Sequence, residues 1–221
     1  MPDEYAVLLL DLLQQQKLEA SDITEVAFSC VVPPLRSTFI EMFRRYFNTT
    51  PLVVGPGVKS GVRIRFDNPR EVGSDRIVNA AAANSLYSKP VIVVAMGTAT
   101  VFDTLSKEGD YLGGAVAPGI AIAAEALFTR TAALPRVELV RPQHVIGTST
   151  VSAIQSGLIY GYAGLIEGIV TRIQEELGEK ATVVATGGYA EMIARETKVI
   201  DKVNPDLTLI GLRPIHELNK S

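Results

Sequence analysis

Three short apolar runs, separated by nothing longer than a turn, constrain this chain more than any other feature. Val91–Val94, Ala99–Leu105 and Tyr111–Val116 read as strands, with Gly97 and Glu108-Gly109 supplying the turns between them. Parallel neighbours need a crossover of a dozen or more residues, so links this short dictate an antiparallel meander. Hydrophobic residues make up 47% of the chain and charged residues 20%, the balance of an ordinary globular protein. At 221 residues the chain suffices for one large domain or two small ones with a sizeable core.

Strands and helices alternate around the meander. Tyr5, Leu8, Leu9, Leu12 and Leu13 mark one face of an opening helix. A buried-type strand at Glu25–Val31 is stopped by Pro33-Pro34, which are placed to begin a helix over Leu35–Tyr46. Leu52–Val54 reads as a short strand, and Arg63–Phe66 alternates as a half-exposed one. An alanine-rich helix runs from Ser74 to Tyr87 and ends near Ser88-Lys89-Pro90, which is also the expected domain boundary. Helices follow at Pro118–Phe128 and Thr150–Leu177, the second with Gly178 as its C-terminal cap. Val183–Ala185 is a strand, Ala190–Glu196 a helix, and Leu207–Leu212 a last short strand. The class is α/β with a mixed sheet.

Several function classes are disfavoured. A net charge of −3 leaves no electrostatic footprint for nucleic acid or anionic lipid, and Arg44-Arg45 reads as a solvated helix face. Cys30 is the only cysteine, so neither an intrachain disulfide nor a thiolate metal cluster is expected. Its apolar surroundings suggest a small buried hydrophobe. His144 and His216 are far apart, and their spacing supports neither a zinc site nor a catalytic triad. Val91–Phe102 and Gly113–Phe128 are interrupted by Gly, Thr, Pro118 and Glu125, so neither reads as a membrane span. The acidic opening Met1-Pro2-Asp3-Glu4 is unlike a basic leader, which gives a cytoplasmic expectation.

Four segments carry chemistry. In Met96-Gly97-Thr98-Ala99-Thr100, a glycine at a hairpin tip lets backbone amides approach an anion, and threonine hydroxyls add donors; a plain β-turn reads equally well. In Val72-Gly73-Ser74-Asp75-Arg76, the aspartate is either a helix-dipole or capping residue or a base. The adjacent guanidinium favours a carboxylate that takes a proton from an alcohol while the arginine holds an anion. Thr186-Gly187-Gly188, after a buried strand, offers unshielded backbone to a nucleotide, although many strand-to-helix turns carry two glycines. Gly157, Gly161, Gly164 and Gly168 fall on one face of the long helix. Each costs about 1 kcal/mol against alanine, so close approach of another backbone, internal or from a symmetry mate, is expected to compensate.

Taken together and in this order, these segments resemble the type III pantothenate kinase family. The resemblance is carried by Asp3-Glu4-Tyr5, Ser29-Cys30-Val31-Val32-Pro33, Asn68-Pro69-Arg70-Glu71-Val72-Gly73-Ser74-Asp75-Arg76 and Gly97-Thr98-Ala99-Thr100. Gly113-Gly114 with Pro118-Gly119, Ile146-Gly147 leading to Thr150, Gln155-Ser156-Gly157 with Tyr160-Gly161, and Thr186-Gly187-Gly188 complete it.

The resemblance implies an actin-like, sugar-kinase-type fold of two ribonuclease-H-like domains with ATP in the cleft. The domains would be residues 1–89, without their leading strands, and residues 90–221, which carry a dimerisation helix. The implied reaction transfers a phosphoryl group from ATP to the terminal hydroxyl of pantothenate, giving 4'-phosphopantothenate, the first step toward coenzyme A. Mg²⁺ and a monovalent cation, K⁺ or NH₄⁺, are the implied cofactors, and the partner is a second copy of the chain. Asp75 would be the general base, with Gly73, Ser74, Asp75 and Arg76 contacting pantothenate. Phe66 and Thr150 would line the same pocket, Thr150 from the chain itself or from the partner subunit. Gly97 and Thr98 would face the ATP phosphates, and Thr186, Gly187 and Gly188 the adenosine.

The sequence departs from the family pattern in two places. The family begins with a strand and an Asp-x-Gly-Asn-Thr phosphate hairpin, whereas this sequence opens at the helix containing Tyr5. The Gly-Thr-Ala-Thr motif is normally preceded, two residues before its glycine, by an aspartate that helps to hold the monovalent cation; that position is Ala95. Phosphoryl transfer depends on positioning and charge neutralisation, so weak or no turnover is expected. Two further readings stay open, a non-catalytic relative acting as a pantothenate-binding or regulatory dimer and a fragment without function of its own.

Overall fold

Pro2 stands at the start of helix α1 (Pro2–Gln15), where its missing N–H would be unsatisfied anyway, and Asp3 and Glu4 lie against the positive end of the helix dipole. The computed structural model describes residues 1–220. Ala6 is fully buried, with Tyr5, Leu9, Leu10 and Leu13 around it. Tyr5, Leu9 and Leu13 pack as their spacing predicts, but Leu8 and Leu12 are 59% and 50% exposed, and Ala6 and Leu10 complete the buried face instead. Leucines at 8, 9, 10, 12 and 13 cover most of the helix surface, so their period could not choose a face. The choice is made by small Ala6 opposite Phe39, Met42, Phe43 and Tyr46 of α2 (Pro33–Phe47).

The strand expected over Glu25–Val31 is two residues long, β1 (Ala27–Phe28), paired in parallel with β2 (Leu52–Val53). Its partner is equally short: Val54 N still donates to Phe28 O at 2.9 Å, and the chain then turns at Gly55-Pro56-Gly57. Cys30 is half-buried rather than buried, and its thiol donates to the Val32 carbonyl. Helix α3 (Ser74–Leu86) follows a short 3-10 turn at Pro69–Glu71 and buries Val78 and Ala80 through Ala83.

The meander is present as read: β3 (Val91–Met96), β4 (Ala99–Leu105) and β5 (Tyr111–Pro118) are antiparallel neighbours. Helices α4 (Ile120–Arg130) and α5 (Thr150–Leu177) follow, and Gly178 ends α5 in the left-handed conformation, φ +71°. Strand β6 (Thr182–Thr186) returns parallel to β3, helix α6 (Ala190–Ala194) follows it, and β7 (Lys202–Val203) adds in parallel. The five-stranded sheet has the order β5-β4-β3-β6-β7 and is mixed, as expected. Ile92, Val94 and Met96 of β3, Phe102, Val183 and Ala185 join Ile154, Leu158, Ile159, Ile166 and Val170 of α5 in one core.

Two further expectations are corrected. Arg63–Phe66 forms only a bridge between Ile64 and Tyr111, although Arg65 N donates to Tyr111 O and Tyr111 N to Arg63 O at 2.8 Å. Leu207–Leu212 is no strand but the start of helix α7 (Leu207–Leu218), despite Pro214. A short apolar run does not separate strand from helix by its period. Leu207, Gly211 and Ile215 are buried one turn apart, and Gly211 lets α7 approach Val78, whose carbonyl a Cβ there would strike.

The chain divides into two compact units. One comprises Met1–Gly61, Asn68–Ala82 and the segment from Thr208 on, the other Val62–Asp67 and Ala83–Leu207. No helix among the described residues is long and apolar enough to cross a membrane.

Candidate active site

Within the first unit, the Asn68–Arg76 block is built to present a carboxylate at a helix start. Asn68 accepts from the amide of Arg70 and donates to Glu71 at 2.8 Å, closing the 3-10 turn. Val72 buries behind it. Ile77 N donates to Gly73 O, so the helical ladder begins at that glycine. A Cβ on Gly73 would lie 2.6 Å from Asp75 Oδ1, so the glycine leaves the space that the carboxylate occupies. Ser29, just after β1, donates to Ser74 Oγ at 2.8 Å and ties the start of α3 to the strand layer. Gly73, Ser74, Asp75 and Arg76 are thereby brought together in the first unit.

Within the second unit, β5 runs antiparallel to β4, as β4 does to β3, and β6 is parallel to β3. The C-terminal ends of β3, β5 and β6 therefore fall at one edge of the sheet. Sheets of this kind place ligands outside the carboxyl ends of their strands, where the strand order reverses. Gly97 and Thr98 form the exposed turn after β3, closed by a bond from Gly97 N to Ala99 O at 3.0 Å. Thr186 ends β6 beside it, paired with Ala95, and Gly187 and Gly188 are exposed. Gly187 has φ +95°, and a Cβ there would strike the Met96 carbonyl; only glycine meets both conditions. Gly119, leaving β5, would likewise strike the Gly97 and Thr98 carbonyls if it carried a side chain.

Gly97, Thr98, Thr186, Gly187 and Gly188 are thus gathered at one edge, with Gly119, whose part sequence reasoning missed. The signal for it was the Pro118-Gly119 pair. The start of the 11-residue helix α4, whose leading amides have no partner within the helix, suits an anion there.

The other two predicted residues lie elsewhere in this unit. Phe66 packs on Tyr111, ring centroids 6.4 Å apart, and fills the space left by Gly113, whose φ is +116°. It sits at the opposite end of β5 from Pro118, roughly 15–20 Å away along the strand. Thr150 begins α5, where Ser149 and Ser152 cap each other, and is exposed at the rim of an open cavity of about 830 Å³ with Gly147, Leu127 and Gly157. The structure does not bring Phe66 or Thr150 to the glycine edge.

The fit for a monovalent cation fails at the expected position. Ala95 presents a methyl group where the family pattern has a carboxylate, and a methyl supplies no ligand. Among the described residues, no group of three His, Cys, Asp or Glu is placed to hold a metal. Asp103, fully buried on β4, accepts from the Tyr111 hydroxyl at 2.8 Å, toward the Phe66 end of the sheet.

The sequence pattern of a family described as type III pantothenate kinase matches residues 1–172. A protein described as a type III pantothenate kinase from Dehalococcoides mccartyi is 59% identical over 220 residues, covering 100% of this chain and 84% of its own length. Those of the same description from Moorella thermoacetica and Bacillus cytotoxicus are 54% and 50% identical over 217 residues, each covering 98% of this chain and 85% and 83% of their own lengths. Among solved structures, a Campylobacter jejuni protein described as a Baf family transcriptional activator superposes with a TM-score of 0.62 at 19% identity, over 89% of this chain and 83% of its own. At that identity the likeness bears on the fold alone.

Proposed function

The chain belongs to the type III pantothenate kinase family, and on that premise we propose that it phosphorylates pantothenate slowly, with Asp75 as general base and the glycine edge as the phosphate site. ATP and pantothenate are the substrates that membership implies. The observation that carries the assignment of roles is the retention of Gly73, Asp75 and Arg76 at a helix start where the glycine leaves room for the carboxylate.

Arg76 holds the pantothenate carboxylate. Asp75 takes the proton of the terminal hydroxyl, whose oxygen attacks the γ-phosphorus as the bond from that phosphorus to the ADP oxygen breaks. Gly97, Thr98 and the Thr186-Gly187-Gly188 turn orient the triphosphate and adenosine. Mg²⁺ enters with the phosphates as part of the substrate and keeps most of its waters. Phe66 and Thr150 line the pantothenate pocket in this reading. No step is routed through a monovalent cation, because Ala95 offers it no side-chain ligand. That loss accounts for the slow rate, since removing one preorganised electrostatic element typically costs roughly 10²–10³ in turnover.

The working form is a homodimer in the cytoplasm. Among the described residues, nothing outside the helix's own backbone lies within 4 Å of a Cβ built on Gly157, Gly161 or Gly164, so the room left by these glycines is available to a second copy across a two-fold axis. In this reading Thr150, exposed at the start of the same helix, faces that copy.

Ala95 also favours a second reading, a non-catalytic dimer that binds pantothenate. Calorimetric titration with pantothenate beside an assay for 4'-phosphopantothenate separates the two. Binding with turnover supports the kinase, and binding without turnover the non-catalytic dimer.

A further inference from the structure

We propose that Tyr162 is a positioning residue for the nucleotide, acting through the peptide unit between Pro118 and Gly119; the inference rests on the reading of Gly97 and Thr98 as the phosphate turn.

The amide of Gly119 donates to the carbonyl of Thr98 at 3.0 Å. Ala99 and Pro118 are paired in register, and a ladder bond running from the residue after one to the residue before the other marks them as a non-hydrogen-bonded pair. The carbonyl of Pro118 therefore points away from β4. Strand β5 is at the edge of the sheet, so this carbonyl faces no neighbouring strand. That side of a strand is also where proline's missing N–H does no harm. The hydroxyl of Tyr162, from α5, donates to it at 2.9 Å.

The Pro118 carbonyl and the Gly119 N–H belong to one planar peptide. One end is held by Tyr162, and the other holds the carbonyl of Thr98. A rotation of this plane that frees the first bond misaligns the second, and bonds in series polarise one another. Gly119 lacks the Cβ that would strike the Gly97 and Thr98 carbonyls, so the plane lies directly against the phosphate turn. Burial pushes the Tyr162 phenol above its ordinary pKa, which keeps it protonated as a donor into alkaline solution. The tyrosine packs against the core that α4 and α5 share.

The test compares the full chain with Tyr162→Phe, which keeps the ring and removes only the donor. Equilibrium binding of MgATP, calorimetric titration with pantothenate, and hydrogen exchange are measured on both. The expected result is MgATP binding weakened roughly three- to tenfold, the size of one hydrogen bond, with pantothenate affinity unchanged. Faster amide exchange is expected to be confined to residues 97–99 and 119–123. Equal MgATP affinity and equal exchange in the two proteins overturn the inference while leaving the kinase reading intact. A parent chain that binds no MgATP overturns both. Should the variant lose MgATP and pantothenate binding together with uniform loss of protection, Tyr162 is a packing residue and the inference falls.

Discussion

Ala95 faces Thr186 across the parallel pairing of β3 with β6; Met96 alone separates Ala95 from the Gly97 turn, and Thr186 directly precedes Gly187. A side chain at 95 therefore stands at the glycine edge, and the missing carboxylate removes charge from the place where the triphosphate is read to lie. Ala95→Asp is predicted to make turnover depend on K⁺ or NH₄⁺, with a rise of roughly tenfold, equivalent to about 1.4 kcal/mol at the transition state. The check is initial rate against KCl at ionic strength held constant with choline chloride. The parent is predicted to show no such dependence, and a variant as indifferent as the parent contradicts the assignment.

Gly187→Ala is predicted to damage both stability and nucleotide binding. Its φ of +95° and the collision of a Cβ with the Met96 carbonyl together cost about 2 kcal/mol or more. In a chain of this size that lowers the melting midpoint by roughly 4–8 °C. Calorimetry gives the midpoint, and MgATP is predicted to raise it in the parent and not in the variant. A variant that melts with the parent and is still stabilised by MgATP shows that the turn tolerates a side chain.

Much of the fold was legible because turns and caps announce themselves locally. The meander followed from Gly97 and Glu108-Gly109 alone, and the end of α5 from Gly178. The face of α1 was legible only in part, because leucines at 8, 9, 10, 12 and 13 leave the final choice to a partner helix. Helix α7 hid in an apolar run whose period is ambiguous and whose Pro214 argues against a helix. At the site, the Asn68–Arg76 block and the two glycine turns were legible as motifs. The part played by Gly119 and Tyr162 was not, because it depends on which side of β5 the Pro118 carbonyl faces. That is a property of register, and no spacing in the sequence states it.

Gly161→Leu is predicted to disrupt the homodimer. Among the described residues, nothing outside the helix's own backbone lies within 4 Å of a Cβ at this position, so the protomer is predicted to keep its fold. It occupies the space proposed for the second copy of α5. Light scattering is predicted to give a monomer or an aggregate, with a melting midpoint within a few degrees of the parent. A well-behaved dimer would place the interface elsewhere.

The most direct measurement of the central claim is mass-spectrometric detection of 4'-phosphopantothenate after incubation of the chain with MgATP, KCl and pantothenate, run beside Asp75→Asn. The account predicts slow accumulation of product by the parent and a loss of roughly 10²–10⁴ in rate in the variant, with pantothenate still bound by both. Absence of product from the parent while pantothenate binds would contradict it, as would an Asp75→Asn protein that turns over like the parent.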